Sequence, residues 1–197
     1  MCVGRNYRAH AAELGHEIPD KPLLFLKPPS AVIFDRDNIV LPSESKRVDY
    51  EGEVVVIIGE TIFAATPAAA MAAVGGICCG NDVTARDIQG EEPQWTRAKG
   101  FDTFCCLGPA VVPASGLDLD RLDLVTRLNG VIVQQGNTRD LIFPVAELLS
   151  YISHTMTLEP GDAVFTGTPE GVGPLTPGDV VEVEIPGVGI LRNGVSR

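Results

Sequence analysis

Two glutamates stand two residues apart in Tyr50-Glu51-Gly52-Glu53-Val54. Side chains alternate along an extended strand, so Glu51 and Glu53 point the same way, with Cα atoms about 7 Å apart. The residues that follow, Val54 to Ile58, are all apolar, as in a strand buried on both faces. Two carboxylates in that setting repel each other and lose hydration, and a bound cation would offset the cost. Gly52 leaves backbone space beside them. A third carboxylate, Asp82, follows Gly80-Asn81 at the end of the apolar run Val74–Cys79. Three carboxylates with no His or Cys partner suit a hard cation: Mg²⁺ first, Mn²⁺ next, Ca²⁺ behind. Spacing alone equally suits a solvated strand edge on which Glu51 and Glu53 pair with Lys46 and Arg47.

His10 and Glu13 are three residues apart in a segment with helical character, so they share a face. A carboxylate beside an imidazole fixes its tautomer and raises its basicity, and such a pair can take a proton from water or from a substrate carbon. Spacing alone reads more simply as a surface His–Glu pair. His154 falls opposite Val145 on its own helix and reads as solvated; His16, after Gly15, reads as a loop residue. An anionic substrate would need local positive charge, which Arg86 and Lys99 could supply, Arg with a planar fork for a carboxylate. As surface ion pairs the same cations would contribute little. Trp95 reads as a core or rim packing residue. The Gly-rich stretch Thr166–Gly173 matches neither the P-loop nor the dinucleotide fingerprint, and no G-x-S-x-G occurs.

The elements that must position these residues come from a chain of 197 residues and 20.9 kDa, with 45% apolar residues. That suits one compact domain with a real core. A net charge of −11 with no basic run argues against a nucleic-acid partner. No apolar stretch is long enough to span a bilayer. The start has no charged leader with an apolar run after it, so the chain reads as cytoplasmic. The five cysteines, Cys2, Cys78, Cys79, Cys105 and Cys106, read as reduced core thiols. Helices are expected over 6–14 with Asn6 as N-cap, over 67–74 after the Thr66 cap, and over 144–157. The last carries a stripe of Val145, Leu148, Leu149, Ile152 and Met156. Strands are expected over 22–27, 50–59, 163–167 and 180–185, with a hairpin around Asn129-Gly130 and type II turns at Pro160-Gly161 and Pro177-Gly178. The fold class is α+β and β-dominated.

In their order along the chain, several motifs resemble the fumarylacetoacetate hydrolase superfamily. They are Cys2-Val3-Gly4-Arg5-Asn6-Tyr7, Leu24-Phe25-Leu26-Lys27-Pro28, Tyr50-Glu51-Gly52-Glu53, Asn81-Asp82-Val83-Thr84-Ala85-Arg86-Asp87, Ala98-Lys99-Gly100-Phe101-Asp102 and Thr166-Gly167-Thr168-Pro169. The likeness runs from residue 2 to about residue 195 and is greatest to the short acylpyruvate hydrolase/oxaloacetate decarboxylase type. It implies a mixed β-sandwich roll with few short helices, a single catalytic domain over 1–197, and a homodimer. It also implies Mg²⁺ or Mn²⁺ held by Glu51, Glu53 and Asp82. The resemblance places a His–Glu dyad at His10 and Glu13, a catalytic lysine at Lys99, and substrate contacts at Arg86, Gln89, Lys99 and Thr168. The activity it implies is Mg²⁺-dependent cleavage of a C–C bond in acylpyruvate-type 2,4-dioxo acids through a metal-stabilised enolate. Oxaloacetate decarboxylation, 2-hydroxyhepta-2,4-diene-1,7-dioate isomerisation and, more remotely, a non-catalytic binding role are its alternatives. Two departures stand out. The chain starts at the first motif, where relatives usually carry an N-terminal extension. Cys106 stands where relatives typically have Pro, with only a local packing effect expected.

Overall fold

The computed structural model describes residues 1–13, 15 and 17–197. The first half of the chain runs β1 (Cys2–Gly4), α1 (Arg8–Glu13), β2 (Leu23–Phe25), β3 (Val32–Ile33), β4 (Asn38–Val40), β5 (Val48–Tyr50), β6 (Gly52–Ile58), α2 (Pro67–Ala72) and β7 (Val74–Asp82). It continues with β8 (Thr84–Ala85), α3 (Arg86–Glu91), α4 (Thr96–Lys99), β9 (Cys105–Pro113), β10 (Asp123–Leu128), β11 (Val131–Asn137), α5 (Val145–Ser153), β12 (Ala163–Phe165), β13 (Gly173–Pro174), β14 (Val180–Ile185) and β15 (Gly189–Ser196). A seven-stranded mixed sheet has the order β2-β1-β12-β6-β7-β9-β3, and a five-stranded sheet the order β11-β10-β14-β15-β4. A small third sheet, β13-β5-β8, completes the roll. The α+β, β-dominated class expected from the turn-rich sequence is the class observed.

β6 is buried on both faces, as its unbroken apolar run requires. Val54, Val56 and Ile58 join the main core with Ile77, Val181, Val183 and Leu191. Val55 faces the other way, into a smaller cluster with Cys2, Cys78, Cys105 and Phe165. This register decides where the carboxylates go. Val55 pairs with Cys78, Glu53 with Gly80, and Gly52 with Asn81. Cross-strand partners share a face, so Glu53, Gly80 and Asp82 lie on the Val55 side. Glu51 sits in the break between β5 and β6. Its N–H donates to Asn81 Oδ1 at 2.9 Å, and its carbonyl accepts from the Asp82 N–H at 2.9 Å. Two strand ends thirty residues apart are thus stitched into one ledge.

The hairpin at Asn129-Gly130 has φ of 52° and 80°, as a type I′ turn needs. Gly161 and Gly178 take φ of 92° and 94° in the two Pro-Gly turns. Thr66 caps α2, its hydroxyl accepting from the Ala69 N–H. All five cysteines are free and buried, Cys106 among them. His154 is exposed beyond α5.

Several boundaries shift. Asn6 does not cap α1: its amide donates to the carbonyls of Phe143 and Thr166 and its Oδ1 accepts from the Phe143 N–H, clamping three segments together. α1 therefore starts at Arg8, and the expected end at residue 14, like the loop assignment of His16, lies outside the described residues. α2 stops at Ala72 rather than residue 74 because Val74 already pairs with Ile58 in β7. α5 stops at Ser153, leaving Met156 partly buried beyond it. α3 and α4, one to two turns each, carry no side-chain cap and were not expected from periodicity.

Gly80 is tightly packed beside the carboxylates. A Cβ there would lie 2.4 Å from a Val55 methyl and 2.6 Å from the Phe165 ring. Gly80→Ala is expected to destabilise the fold by about 1–3 kcal/mol through overpacking, read as a lower urea midpoint at unchanged m-value.

Candidate functional site

The ledge carries an acidic cluster. Glu51, Glu53 and Asp82 each place a carboxylate oxygen within 4.8 Å of the others, and all three are buried. They do not line a solvated edge, and their neighbours are not Lys46 and Arg47. The Lys99 ammonium instead donates to Glu51 Oε2 at 2.9 Å, Asp82 Oδ2 at 2.6 Å and Thr84 Oγ1 at 2.8 Å. The Arg86 guanidinium donates to Glu51 Oε1 at 2.7 Å, Asp49 Oδ2 at 3.0 Å and Gln89 Oε1 at 2.7 Å. Arg47 pairs with Asp49.

Three groups that the motifs did not single out hold this arrangement. Lys27, whose side chain is buried, donates its three protons to the carbonyls of Val83, Lys99 and Phe104. Its nitrogen also lies 2.6 Å from Asp82 Oδ1. With the protons committed elsewhere, that contact is electrostatic and leaves Asp82 Oδ1 without a hydrogen bond. Gln134 accepts from the Gly52 N–H and donates to Thr168 Oγ1 and the Pro169 carbonyl. Asp49, fully buried, balances Arg86 from behind. The signal for Lys27 was present: a lone lysine in Leu24-Phe25-Leu26-Lys27-Pro28 cannot be buried without several acceptors. Gln134 gave none, since its partners come from a different sheet.

The two glutamates titrate in opposite directions. Burial raises the Glu51 pKa, but Lys99 and Arg86 outweigh it and hold the carboxyl below its ordinary range. Burial, with Asp82 and Glu51 adding like charge, pushes Glu53 well above its ordinary value. Its one backbone partner is the Gly167 N–H at 2.6 Å. Burial lowers the Lys99 pKa, and Asp82 and Glu51 more than restore it, so the amine stays charged.

A cavity of about 420 Å³ opens onto this cluster, lined by His10, Glu51, Arg86, Gln89, Trp95 and Lys99 among others. His10 is buried, and its Nδ1 lies 3.2 Å from Glu13 Oε2. Glu13 Oε1 accepts in turn from the Gly171 N–H at 3.0 Å. The fold therefore brings His10, Glu51, Arg86, Gln89 and Lys99 to one cavity, with Glu13 bonded to His10 and with Glu53 and Asp82 clustered with Glu51. Thr168 is buried beside them, its hydroxyl donating to the Gly52 carbonyl.

The donor set fits a hard divalent ion. It is all carboxylate oxygen, one oxygen of Asp82 lacks a hydrogen bond, and buried Glu53 forms no ion pair among the described residues. Such a fold and site define a class. The family model for the fumarylacetoacetate (FAA) hydrolase C-terminal region matches residues 1–196, and the chain belongs to the fumarylacetoacetate hydrolase family. It is 41% identical over 205 residues to the bovine mitochondrial oxaloacetate tautomerase FAHD2A, covering 99% of this chain and 65% of that protein. Among solved structures it resembles 5-carboxymethyl-2-hydroxymuconate delta-isomerase from Mycobacterium smegmatis (TM-score 0.92, 44% identity, covering 100% of this chain and 77% of that one). It also resembles fumarylpyruvate hydrolase from Pseudomonas aeruginosa in complex with Mn²⁺ and pyruvate (TM-score 0.92, 35% identity, covering 99% and 88%). No described helix is long and apolar enough to cross a membrane.

The opposed shifts make a pH prediction. A carboxyl raised by folding stabilises the fold at low pH, and that contribution disappears as pH rises through its folded value. Glu51, lowered by folding, has the reverse sign and loses its contribution on acidification. In chelator at pH 8, Glu53→Gln should therefore melt at least as high as the unmodified protein, with the difference closing towards pH 5. Glu51→Gln should melt lower at pH 8. Thermal denaturation across that range is the measurement.

Proposed function

We propose that the protein is a metal-dependent hydrolase that cleaves the C3–C4 bond of acylpyruvate-type 2,4-dioxo acids, releasing pyruvate and a carboxylic acid. The observation that carries this reading is buried His10, paired with Glu13, opening on the same cavity as the carboxylate cluster. Glu51, Glu53 and Asp82 would hold Mg²⁺ or Mn²⁺. A divalent ion there supplies Lewis-acid polarisation of the substrate's 2-oxo group.

The chain's own residues do the rest. Glu13, fixed by the Gly171 N–H, holds His10 Nδ1 and orients the ring. The ring's Nε2 is then free to take a proton from water. The resulting hydroxide adds to the C4 carbonyl. The C3–C4 bond breaks, its electron pair passing to the pyruvate enolate. The enolate is protonated at C3. The Lys99 ammonium, kept charged by Asp82 and Glu51, supports the negative charge that develops on the 2-oxo oxygen. Arg86 and Gln89, bonded to each other, form the adjoining wall.

The second reading is proton transfer without C–C hydrolysis, as in tautomerisation or isomerisation of a 2-oxo acid, or decarboxylation of oxaloacetate. It is favoured by the likeness to a relative named oxaloacetate tautomerase. All need the same electron sink, and only hydrolysis needs water activated. Assayed with Mg²⁺ or Mn²⁺, His10→Ala is expected to lose about 100-fold or more in kcat for pyruvate release from acetylpyruvate, while retaining metal-induced thermal stabilisation. Full retention of hydrolysis would remove the role given to His10. Keto–enol interconversion without pyruvate release would establish the second reading.

A further inference from the structure

The cavity holds three cations, and they are not equivalent. Lys99 is committed to two carboxylates and a hydroxyl, and Arg86 to two carboxylates and an amide. Lys99 has no proton left for a substrate carboxylate, whereas Arg86 keeps two of its five N–H donors but is held by its partners beside the carboxylate cluster. Arg5 also lines the cavity, and it forms no ion pair or side-chain hydrogen bond among the described residues. Its guanidinium carbon lies 5.8 Å from the centroid of the Trp95 ring. The same ring lies 6.0 Å from the Lys99 ammonium. Trp95 therefore links the carboxylate cluster to the outlying arginine.

The local backbone is built around this stack. Arg5 has φ of 57°, a region that residues with a Cβ rarely occupy. Gly4 before it has no room for a side chain: a Cβ would sit 2.5 Å from Trp95 Cζ3. Phe25 meets the ring edge-on at 5.4 Å between centroids, fixing its plane. The one acid at this end of the cavity, Glu92, is paired with Arg97 and does not compete for Arg5.

We propose that Arg5, laid over Trp95, is a specificity-determining residue that binds a second, distal carboxylate, so that the site prefers 2-oxo dicarboxylates to monocarboxylates of equal length. This rests on the proposed 2-oxo acid reading of the site and names the substrate class within it. An arginine fork meets a carboxylate in two parallel charge-assisted hydrogen bonds, a geometry that neither an apolar chain end nor a hydroxyl reproduces.

The test uses binding rather than turnover. Trp95 is the chain's single tryptophan, so its fluorescence reports on this end of the cavity alone. With Mn²⁺ present, the whole chain is titrated with 2-oxo diacids of four to seven carbons, each against the 2-oxo monoacid of the same length. At one or more lengths the diacid should bind about tenfold or more tightly. In Arg5→Met, and in Arg5→Asn, which tolerates positive φ, that preference should fall to about twofold or less. Equal binding of diacid and monoacid at every length would overturn the proposal. So would an equal loss for both ligands in the variants. A protein that shows the diacid preference yet releases no pyruvate from 2,4-dioxo acids would overturn the hydrolase reading and leave this one standing.

Discussion

The structure depends on burying four carboxylates and three cations at one end of the long sheet. Asp49, Glu51, Glu53 and Asp82 have almost no exposure, and neither do the side chains of Lys27 and Lys99. Removing such groups from water costs several kcal/mol each, and mutual attraction repays it only when the remaining donors and acceptors are also satisfied. The network meets that condition by sharing, except at Asp82 Oδ1 and Asn81 Nδ2, which have no hydrogen-bond partner. Glu51 receives Lys99 and Arg86 on different oxygens, and Asp82 receives Lys99 and Lys27 on different oxygens. Lys27 is further bound by three carbonyls from the segments that carry Asp82, Lys99 and Phe104, so one ammonium ties the cluster's backbone together. Glu53 alone lacks a cation, which is why its carboxyl is the one driven upward.

The two halves of the site are built differently. The carboxylates stand on paired strands whose register is set by core packing, a scaffold in which neither position nor direction can drift by a residue. The imidazole stands on a helix of six residues, too short to be stable on its own. Its orientation comes from outside the helix, through Glu13 to the Gly171 N–H. Gly171 is held in turn by Tyr50, whose hydroxyl donates to its carbonyl. Tyr50 precedes Glu51, so the stretch that carries the two glutamates also anchors the support of the His10–Glu13 pair. One stretch, residues 50–53, therefore positions both halves of the site.

Much of this was legible because it is local. Alternation put Glu51 and Glu53 on one face, i,i+3 spacing joined His10 to Glu13, and the Pro-Gly and Asn-Gly turns were set by backbone conformations few other residues favour. What was not legible is long-range. Spacing could not choose between a solvated Glu51 and one clamped by Lys99 and Arg86, because the decision lies in the pairing of residue 52 with residue 81. Asn6 looked like a cap because capping is the nearest use for an asparagine before a helix; its actual partners are more than 130 residues away. Lys27 signals only that it needs several acceptors if buried; which groups those are, like the partners of Gln134, is decided by distant segments. The short helices α3 and α4 exist because the sheet edge and the Lys99 network hold them, not because their sequences favour helix.

The chain's acidity bears on the site more directly than its net charge of −11 suggests. With all groups ionised, the buried set carries four negative charges against three positive ones. Protonation of Glu53 would bring it to neutrality, which is the state that its upward shift favours. A divalent cation bound there would displace that proton and leave a local excess of one positive charge, in a protein that is otherwise repulsive to anions. Such an ion would thus relieve Glu53 and turn the cavity floor into an attractor for a carboxylate. A site with one fewer buried cation would stay negative or neutral when loaded, and one with more would bind anions without the ion. The number of buried bases is as much a part of the site's design as the three acids that sequence inspection finds first.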